Sequence, residues 1–212
     1  YSNLLWMIGE NNRRSSEFKL CDELRAYGLW EKVPTSLTYT IGESKPEANW
    51  YYAQAKAGTW TVKFNLDEVP TGTAAITASL AGATNAGASV AVKVNGTSVG
   101  TWKTGVNDAA IYRSAVNSGR HWKFSNTFKT SLLKKGSNTL TLTMSGNGKN
   151  GGFMYDCLKM EAGDLVTNGI ENIQTDKDKI NKTTETYGIS GQKVNSNYRG
   201  IVIRNGKKFI QK

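Results

Sequence analysis

The stretch Gly58-Thr-Trp-Thr-Val-Lys-Phe-Asn-Leu66 alternates polar and apolar side chains. Successive side chains of an extended strand point to opposite faces, so its four large apolar side chains share one face. These residues are Trp60, Val62, Phe64 and Leu66. One apolar and one polar face are typical of an antiparallel sheet that packs on a core and is solvated outside.

Stretches of similar β character lie on both sides of this strand. They span residues 38–41, 73–80, 89–94, 97–102, 138–144 and 153–161. Asn95-Gly96 separates two of them and predicts a type I′ hairpin turn, because both residues tolerate positive φ. About eight short strands, with a turn signal roughly every ten residues, predict an all-β sandwich or barrel.

The composition changes towards the C-terminus. Residues 164–186 are polar and charged with few large side chains, which predicts a linker, and two short β-like runs follow it. Residues 17–27 have only approximate helical spacing, so we do not assign a helix there. We predict a β-sandwich with an N-terminal entry segment over residues 1–163, a linker over 164–186 and a small β tail over 187–212.

The net charge of +10 favours an anionic partner, which is a nucleic acid, a membrane surface or an acidic polysaccharide. Nucleic-acid modules concentrate Lys and Arg on one element, whereas here the charge is scattered and no dense cluster precedes Lys207-Lys208. Six Trp and nine Tyr provide aromatic faces that stack on sugar rings. We therefore expect an acidic polysaccharide and no nucleic acid.

The sequence also bears on membrane spanning, on a signal peptide and on the state of the cysteines. The chain has no run of about 18 apolar residues, so no transmembrane helix is predicted. Tyr1-Ser2-Asn3 has neither the basic start nor the apolar stretch of a signal peptide, so we expect a trimmed or partial chain. The only cysteines, Cys21 and Cys157, are not a ligand-spaced pair and form either one disulfide or two buried thiols.

Six sequence blocks follow one another in a recognisable order: Leu5-Trp6-Met7-Ile8-Gly9, Arg14-Ser15-Ser16-Glu17-Phe18, Tyr27-Gly28-Leu29-Trp30-Glu31, Trp50-Tyr51-Tyr52-Ala53-Gln54, Thr59-Trp60-Thr61-Val62-Lys63-Phe64, and Phe153-Met154-Tyr155-Asp156 with Leu158 and Glu161. Over about residues 4–161 they resemble the C-terminal domain of rhamnogalacturonan lyases of polysaccharide lyase family 4. The resemblance implies a jelly-roll, galactose-binding-like β-sandwich related to carbohydrate-binding modules. Asn11-Asn12 and Cys157 depart from the family, which often has an acidic and an aromatic residue there.

The resemblance also implies a non-catalytic role. The family places catalysis, by a Lys and a His, in a first domain that is followed by a fibronectin-like domain, and nothing in this chain resembles either. The parent protein is then a rhamnogalacturonan endolyase whose last domain assists the binding of acidic pectin. The alternatives are a structural spacer without a sugar ligand and a chain with lyase activity of its own.

Two blocks at the end of the chain carry a second resemblance. They are Tyr187-Gly-Ile-Ser-Gly-Gln-Lys-Val194 and Arg199-Gly-Ile-Val-Ile-Arg-Asn-Gly-Lys-Lys208. They resemble the sorting domain of bacterial type IX secretion, apart from Gly188, where an acidic or amide residue is usual. The resemblance implies that the protein crosses the outer membrane and is secreted or held at the cell surface.

Lyase action on a uronate removes the proton α to the carboxylate, which needs a suitable base and cationic groups or a metal. The sole histidine, His121, lies near Arg120 and Lys123, so it is either such a base or a surface side chain. With one histidine and no Cys or His cluster, we expect no catalysis by this chain. A structural Ca²⁺ is common in jelly-roll sugar binders, and Asp156 or Glu17 are candidate ligands.

A sugar-binding site is the prediction for the remaining polar and aromatic residues, because such residues pair with uronate carboxylates or stack on sugar rings. The loop with Asn107, Asp108 and Arg113 is polar and basic, as is common in the family that the chain resembles. The predicted site comprises Trp50, Trp102, Asn107, Asp108, Arg113, Arg120, His121 and Trp122. Core packing is the alternative for each tryptophan, and we expect it for Trp60 because of its strand alternation.

Overall fold

A computed structural model describes residues 3–23, 27–105, 108–164, 186–188, 192–195, 198–204 and 207–211 of the 212-residue chain. The chain divides into two compact units, Tyr1–Val166 and Thr167–Lys212. Strands dominate the described residues of both units, so the predicted all-β class is confirmed.

The described part of the first unit contains ten strands: β1 Asn3–Gly9, β2 Ser36–Thr40, β3 Ala53–Gln54, β4 Lys56–Leu66, β5 Thr71–Ala83, β6 Ala88–Val94, β7 Thr97–Thr104, β8 Trp122–Lys129, β9 Gly136–Asn147 and β10 Phe153–Asp164. Two short α-helices, α1 (Leu29–Lys32) and α2 (Pro46–Asn49), and a 3-10 turn at Thr130–Leu132 lie between strands. The segment with weak helical spacing contains turns and a single bridge between Lys19 and Tyr51 in its described part.

The ten strands form two sheets that pack as a sandwich. One sheet has the order β1-β10-β5-β8, with β3 also paired to β10, and the other has the order β2-β4-β9-β6-β7. Only β2 and β4 pair in parallel among these strands. The apolar faces enclose one core between the sheets, which confirms the predicted jelly-roll β-sandwich.

The alternating stretch 58–66 lies in β4, and its predicted alternation is confirmed. Trp60, Val62 and Phe64 are buried, whereas Lys63 is exposed. Trp60 faces Leu142 across the pair with β9, so two strands with the same alternation supply the centre of the core. The predicted core role of Trp60 is therefore confirmed.

The hairpin between β6 and β7 turns at Asn95-Gly96, as predicted. Asn95 has φ 48° and Gly96 has φ 84°, the pair of positive angles that a type I′ turn requires. The Asn95 side chain also donates to the carbonyl of Leu132 at 2.8 Å and accepts the N–H of Thr139 at 2.9 Å. The turn is thus joined to the neighbouring strand β9.

Strands β1 and β8 were not predicted from the sequence. On β8 the inward positions of Trp122 and Phe124 are followed by a polar residue, Asn126, which interrupts the apolar alternation. Asn126 is accommodated because its Oδ1 accepts the indole N–H of Trp102. A polar residue that is satisfied inside the sandwich hides a strand from pattern analysis.

Both cysteines are free thiols, Cys157 buried and Cys21 half-buried. The disulfide alternative is therefore excluded. Burial raises the pKa of the Cys157 thiol to about 11, so this thiol stays protonated and inert at neutral pH. Among the residues that the structure describes, no helix is both long and apolar enough to cross a membrane.

The described residues of the second unit form a four-stranded antiparallel sheet. Its strands are β11 Thr186–Gly188, β12 Lys193–Val194, β13 Gly200–Arg204 and β14 Lys207–Gln211, in the order β12-β11-β13-β14. Most of the predicted linker lies outside the described residues, as does Asn205-Gly206, a dipeptide whose sequence predicts a hairpin turn. The domain boundaries at 163 and 186 stay a prediction.

Candidate functional site

Asp156 on β10 is a buried carboxylate that binds the loop after β1. Its Oδ1 accepts the backbone N–H groups of Asn12, Arg13 and Arg14 at 2.9, 2.6 and 3.3 Å. Its Oδ2 accepts the hydroxyl of Ser79 from the neighbouring strand β5. Because hydrogen bonds to an ionised acceptor are strong, Asp156 holds the loop in place and faces protein donors rather than a ligand.

Two further contacts complete this junction, which we call the Asp156 latch (residues 9, 12–15, 79, 155 and 156). The hydroxyl of Ser15 donates to the carbonyl of Tyr155. Gly9 has φ 80°, and a Cβ there would lie 2.4 Å from both the Asp156 carbonyl oxygen and the Phe18 ring, so this position requires glycine. Three of the blocks on which the family resemblance rests are therefore structural partners of one another.

The two carboxylates considered for Ca²⁺ do not assemble a site for it. Ca²⁺ takes about six to eight oxygen ligands, yet both Asp156 oxygens already accept protein hydrogen bonds. Glu17 accepts the N–H of Glu10 at 2.8 Å through Oε1, and burial raises the pKa of its carboxyl group. Nowhere in the described ranges do three or more His, Cys, Asp or Glu side chains converge.

Trp50 and Trp102 lie in the core, which corrects their assignment to a sugar site. Trp50 is 0% exposed and its ring centroid lies 5.0 Å from that of Trp60. Trp102 is 1% exposed and donates its indole N–H to Asn126. A sugar cannot stack on an aromatic face that the protein already covers, so both side chains have structural roles.

Asp108 is turned inward and organises a loop. It is 5% exposed, and its Oδ2 accepts the N–H groups of Ala83 at 2.9 Å and Arg120 at 3.1 Å. Its Oδ1 accepts the N–H of Ala110 at 2.9 Å. Asp108 therefore joins the loop to the end of β5, and its assignment as a ligand contact is corrected. Asn107 lies outside the described residues.

Arg120 and Trp122 form a cation–aromatic pair at the start of β8. The guanidinium carbon lies 4.6 Å from the centroid of the half-buried Trp122 ring. The ring also packs against Gly105, where an added Cβ would lie 3.0 Å from it. The guanidinium already occupies space over the ring, so Trp122 is a poorer stacking platform than a free aromatic side chain.

His121 is exposed, but its Nε2 is not free to act as a base. Nε2 lies 2.8 Å from the hydroxyl oxygen of Ser79, and that hydroxyl donates its proton to Asp156. Nε2 is therefore the donor to Ser79, because the hydroxyl has only one proton to give. This hydrogen bond places His121 on the outside of the Asp156 latch.

A cavity of about 620 Å³ lies between two loop segments and is a candidate binding site. We call it the Tyr27 cavity; it is lined by residues 21–23, Tyr27 and residues 113–118. Tyr27 is 75% exposed, and its ring centroid lies 6.0 Å from that of Tyr112, which is 42% exposed. The volume lies within the range of small-ligand sites.

The Tyr27 cavity combines apolar ring faces with hydrogen-bonding groups of both kinds. Arg113 contributes a planar fork of N–H donors, and Asp22 contributes carboxylate acceptors. Within the described ranges neither makes an ion pair, whereas Glu23 is paired with Lys32 at 2.7 Å. Donors, acceptors and an exposed aromatic surface together suit the hydroxyl groups and the C–H face of a sugar ring.

Of the seven predicted site residues that the structure describes, Arg113 is the one that lines the Tyr27 cavity. Tyr27 and Tyr112 were missed. Tyr27 was read only as part of a family-like block, and Tyr112 stands directly beside Arg113 in the sequence. An aromatic residue next to an arginine in a polar loop was the signal available for Tyr112, and the sequence held no signal that Tyr27 would meet it.

A two-sheet sandwich with a loop-lined, aromatic and polar cavity is the architecture of a carbohydrate-binding-module-like domain. The profile of CBM-like domain III of polysaccharide lyase family 4 matches residues 4–160, and the chain belongs to this family. A rhamnogalacturonate lyase of Dickeya dadantii (strain 3937) is 35% identical over 164 residues. The match covers 74% of this chain and 27% of that relative, so the chain spans about a quarter of the relative's length.

Solved structures of similar fold include carbohydrate-binding modules. One is the CBM36-1 domain of a multidomain xylanase from the hindgut metagenome of Trinervitermes trinervoides, with a TM-score of 0.37, 15% identity, and coverage of 59% of this chain and 85% of that one. Another is a CBM36 module in complex with calcium and xylotriose, with a TM-score of 0.35, 12% identity, and coverage of 57% and 85%.

Proposed function

We propose that this chain is the non-catalytic, sugar-binding end of a secreted rhamnogalacturonan (pectin) lyase and that it binds acidic plant polysaccharide. The observation that carries the proposal is the Tyr27 cavity, where Tyr27 and Tyr112 stand beside Arg113 and Asp22. The net charge of +10 adds a long-range attraction for a polyanionic chain. Family membership and the lyase relative support the substrate class.

The chemistry of the described residues supports a binding role over lyase action. Proton abstraction next to a carboxylate needs a base within hydrogen-bond reach of the substrate. His121 and Asp156 are hydrogen-bonded to protein groups, and neither is among the described residues that line the Tyr27 cavity. We therefore assign catalysis to another part of the proposed parent protein.

Arg113→Ala is expected to weaken binding of rhamnogalacturonan I at least about tenfold, since a hydrogen bond from a charged donor is worth about 1.5–3 kcal/mol. Isothermal titration with the purified polysaccharide measures the loss. Arg120→Ala is the matched control, because Arg120 is an exposed arginine that does not line the Tyr27 cavity.

The same titration separates the competing functions. If titration of the wild-type chain with the polysaccharide releases no heat of binding, the structural-spacer alternative is supported. If Arg120→Ala lowers the affinity and Arg113→Ala does not, the binding site lies at the Arg120–Trp122 pair. Growth of ultraviolet absorbance from unsaturated products during incubation with the chain would favour the lyase alternative.

We further propose that the C-terminal unit directs export by type IX secretion. Its described strands β11 to β14 form a small antiparallel sheet, which supports a separate module at the end of the chain. Deletion of residues 187–212 is expected to retain the protein in the periplasm of a bacterium with this secretion system. Immunoblots of medium and periplasm measure the distribution, and unchanged export would refute the sorting role.

A further inference from the structure

We propose that the binding site continues from the Tyr27 cavity into two neighbouring basic cavities and holds several consecutive sugars of an acidic oligosaccharide. This inference rests on the proposed sugar-binding function and names the ligand path within it. The second cavity, about 360 Å³, is lined by Tyr112, Lys149, Asn85, Ala86 and Asn150. The third, about 380 Å³, contains Lys103 and lies between the ends of β6, β7 and β9.

A pair of adjacent aromatic rings connects the first cavity to the second, and two shared lining residues connect the second to the third. The ring of Tyr112 pairs with that of Tyr27 at the first cavity and also lines the second. Ala86 and Asn150 line both the second and the third. A ligand that extends from the Tyr27 cavity across the Tyr27–Tyr112 ring pair therefore reaches the second cavity and, past Ala86 and Asn150, the third.

The charges differ along this path. In the Tyr27 cavity the guanidinium of Arg113 is balanced by the carboxylate of Asp22, which repels a ligand carboxylate but accepts hydroxyl protons. The second and third cavities each contain one lysine, Lys149 and Lys103, and no carboxylate side chain is among their described lining residues. Neither lysine makes an ion pair with a described residue.

The expected ligand therefore has a neutral sugar at Tyr27 and Tyr112 and uronate carboxylates near Lys149 and Lys103. Each cavity lies within the size range of small-ligand sites, so the path holds several sugar units. Recognition of several consecutive sugars follows, because no single sugar reaches all three cavities. Rhamnogalacturonan, in which acidic and neutral sugars alternate, has this chemistry.

Rhamnogalacturonan I fragments of two, four and six sugars, titrated into the full chain, test the path. Affinity is expected to rise about tenfold or more from the disaccharide to the hexasaccharide, because the longer ligand adds contacts in the basic cavities. Lys103→Ala and Lys149→Ala are each expected to lower hexasaccharide affinity about threefold and to reduce its salt dependence, with disaccharide binding unchanged. Lys63→Ala, an exposed lysine on β4 that lines none of the cavities, is the control.

The outcomes distinguish the path from the function on which it rests. If the hexasaccharide binds no tighter than the disaccharide, or if both lysine variants bind like the wild type while Arg113→Ala loses affinity, the extended path is wrong and the sugar-binding function stands. If the wild-type chain binds neither the polysaccharide nor any fragment, the proposed function fails and the path fails with it.

Discussion

Trp50→Ala is expected to lower the free energy of unfolding by about 4 kcal/mol, within the range of about 3–5 kcal/mol for the loss of a buried tryptophan. The Trp50 ring contacts three aromatic neighbours, with centroid distances of 5.0 Å to Trp60, 5.2 Å to Tyr155 and 5.8 Å to Tyr39. Its removal leaves a cavity that these large rings cannot fill without leaving their own partners. Urea denaturation followed by circular dichroism measures the effect.

The controls for this prediction compare aromatic residues in different surroundings. Trp50→Phe keeps a ring in the core and is expected to lower the free energy of unfolding less than Trp50→Ala does. Tyr27→Ala removes a mostly exposed ring and is expected to change stability by less than about 0.5 kcal/mol. A stable Trp50→Ala protein that has lost sugar binding would restore Trp50 to the binding site.

Asp156→Ala is expected to lower the free energy of unfolding by about 3 kcal/mol, because several charge-assisted hydrogen bonds are lost at once. The N–H groups of Asn12, Arg13 and Arg14 and the buried hydroxyl of Ser79 lose their acceptor. The amides of residues 12–14 are also expected to lose hydrogen-exchange protection. Denaturation and native-state hydrogen exchange measure the two effects.

Two matched variants make this prediction specific. Asp156→Asn retains an oxygen acceptor for the three backbone N–H groups and is expected to lower the free energy of unfolding clearly less than Asp156→Ala does. Glu161→Ala removes a carboxylate from the same strand, where it pairs with Lys159 at 2.9 Å in a partly exposed ion pair worth at most about 1 kcal/mol. If Asp156→Ala and Glu161→Ala lower the free energy of unfolding equally, the stabilising role of the Asp156 latch is wrong.

The family-like blocks show why resemblance located the domain better than the site. Trp50 and Trp60 pack on Tyr155, and the Tyr155 hydroxyl donates to Gln54 at 2.8 Å. Asp156 binds the loop that precedes Ser15. These blocks are recognisable because they build one core and one latch, so they predict fold and family and say little about the ligand.

The site residues were harder to predict because loop side chains have no periodicity. A strand fixes which residues face inward through its alternation, as β4 does. The loop around Asp108 has no such rule, and a carboxylate there can equally face solvent or satisfy buried N–H groups. In the structure it satisfies those of Ala83, Ala110 and Arg120, whereas the nearby Arg113 faces the Tyr27 cavity.

Alternation, turn chemistry and ordered blocks are local properties of the chain, so they were sufficient to predict the all-β sandwich, the hairpin at Asn95-Gly96 and the family. The polar and aromatic residues that are available to a ligand depend instead on tertiary contacts. Asp156 receives its backbone donors from residues 142 to 144 positions away, and Tyr27 meets Tyr112 from a distant loop. Such contacts depend on how the two sheets bring remote segments together, which no local pattern encodes.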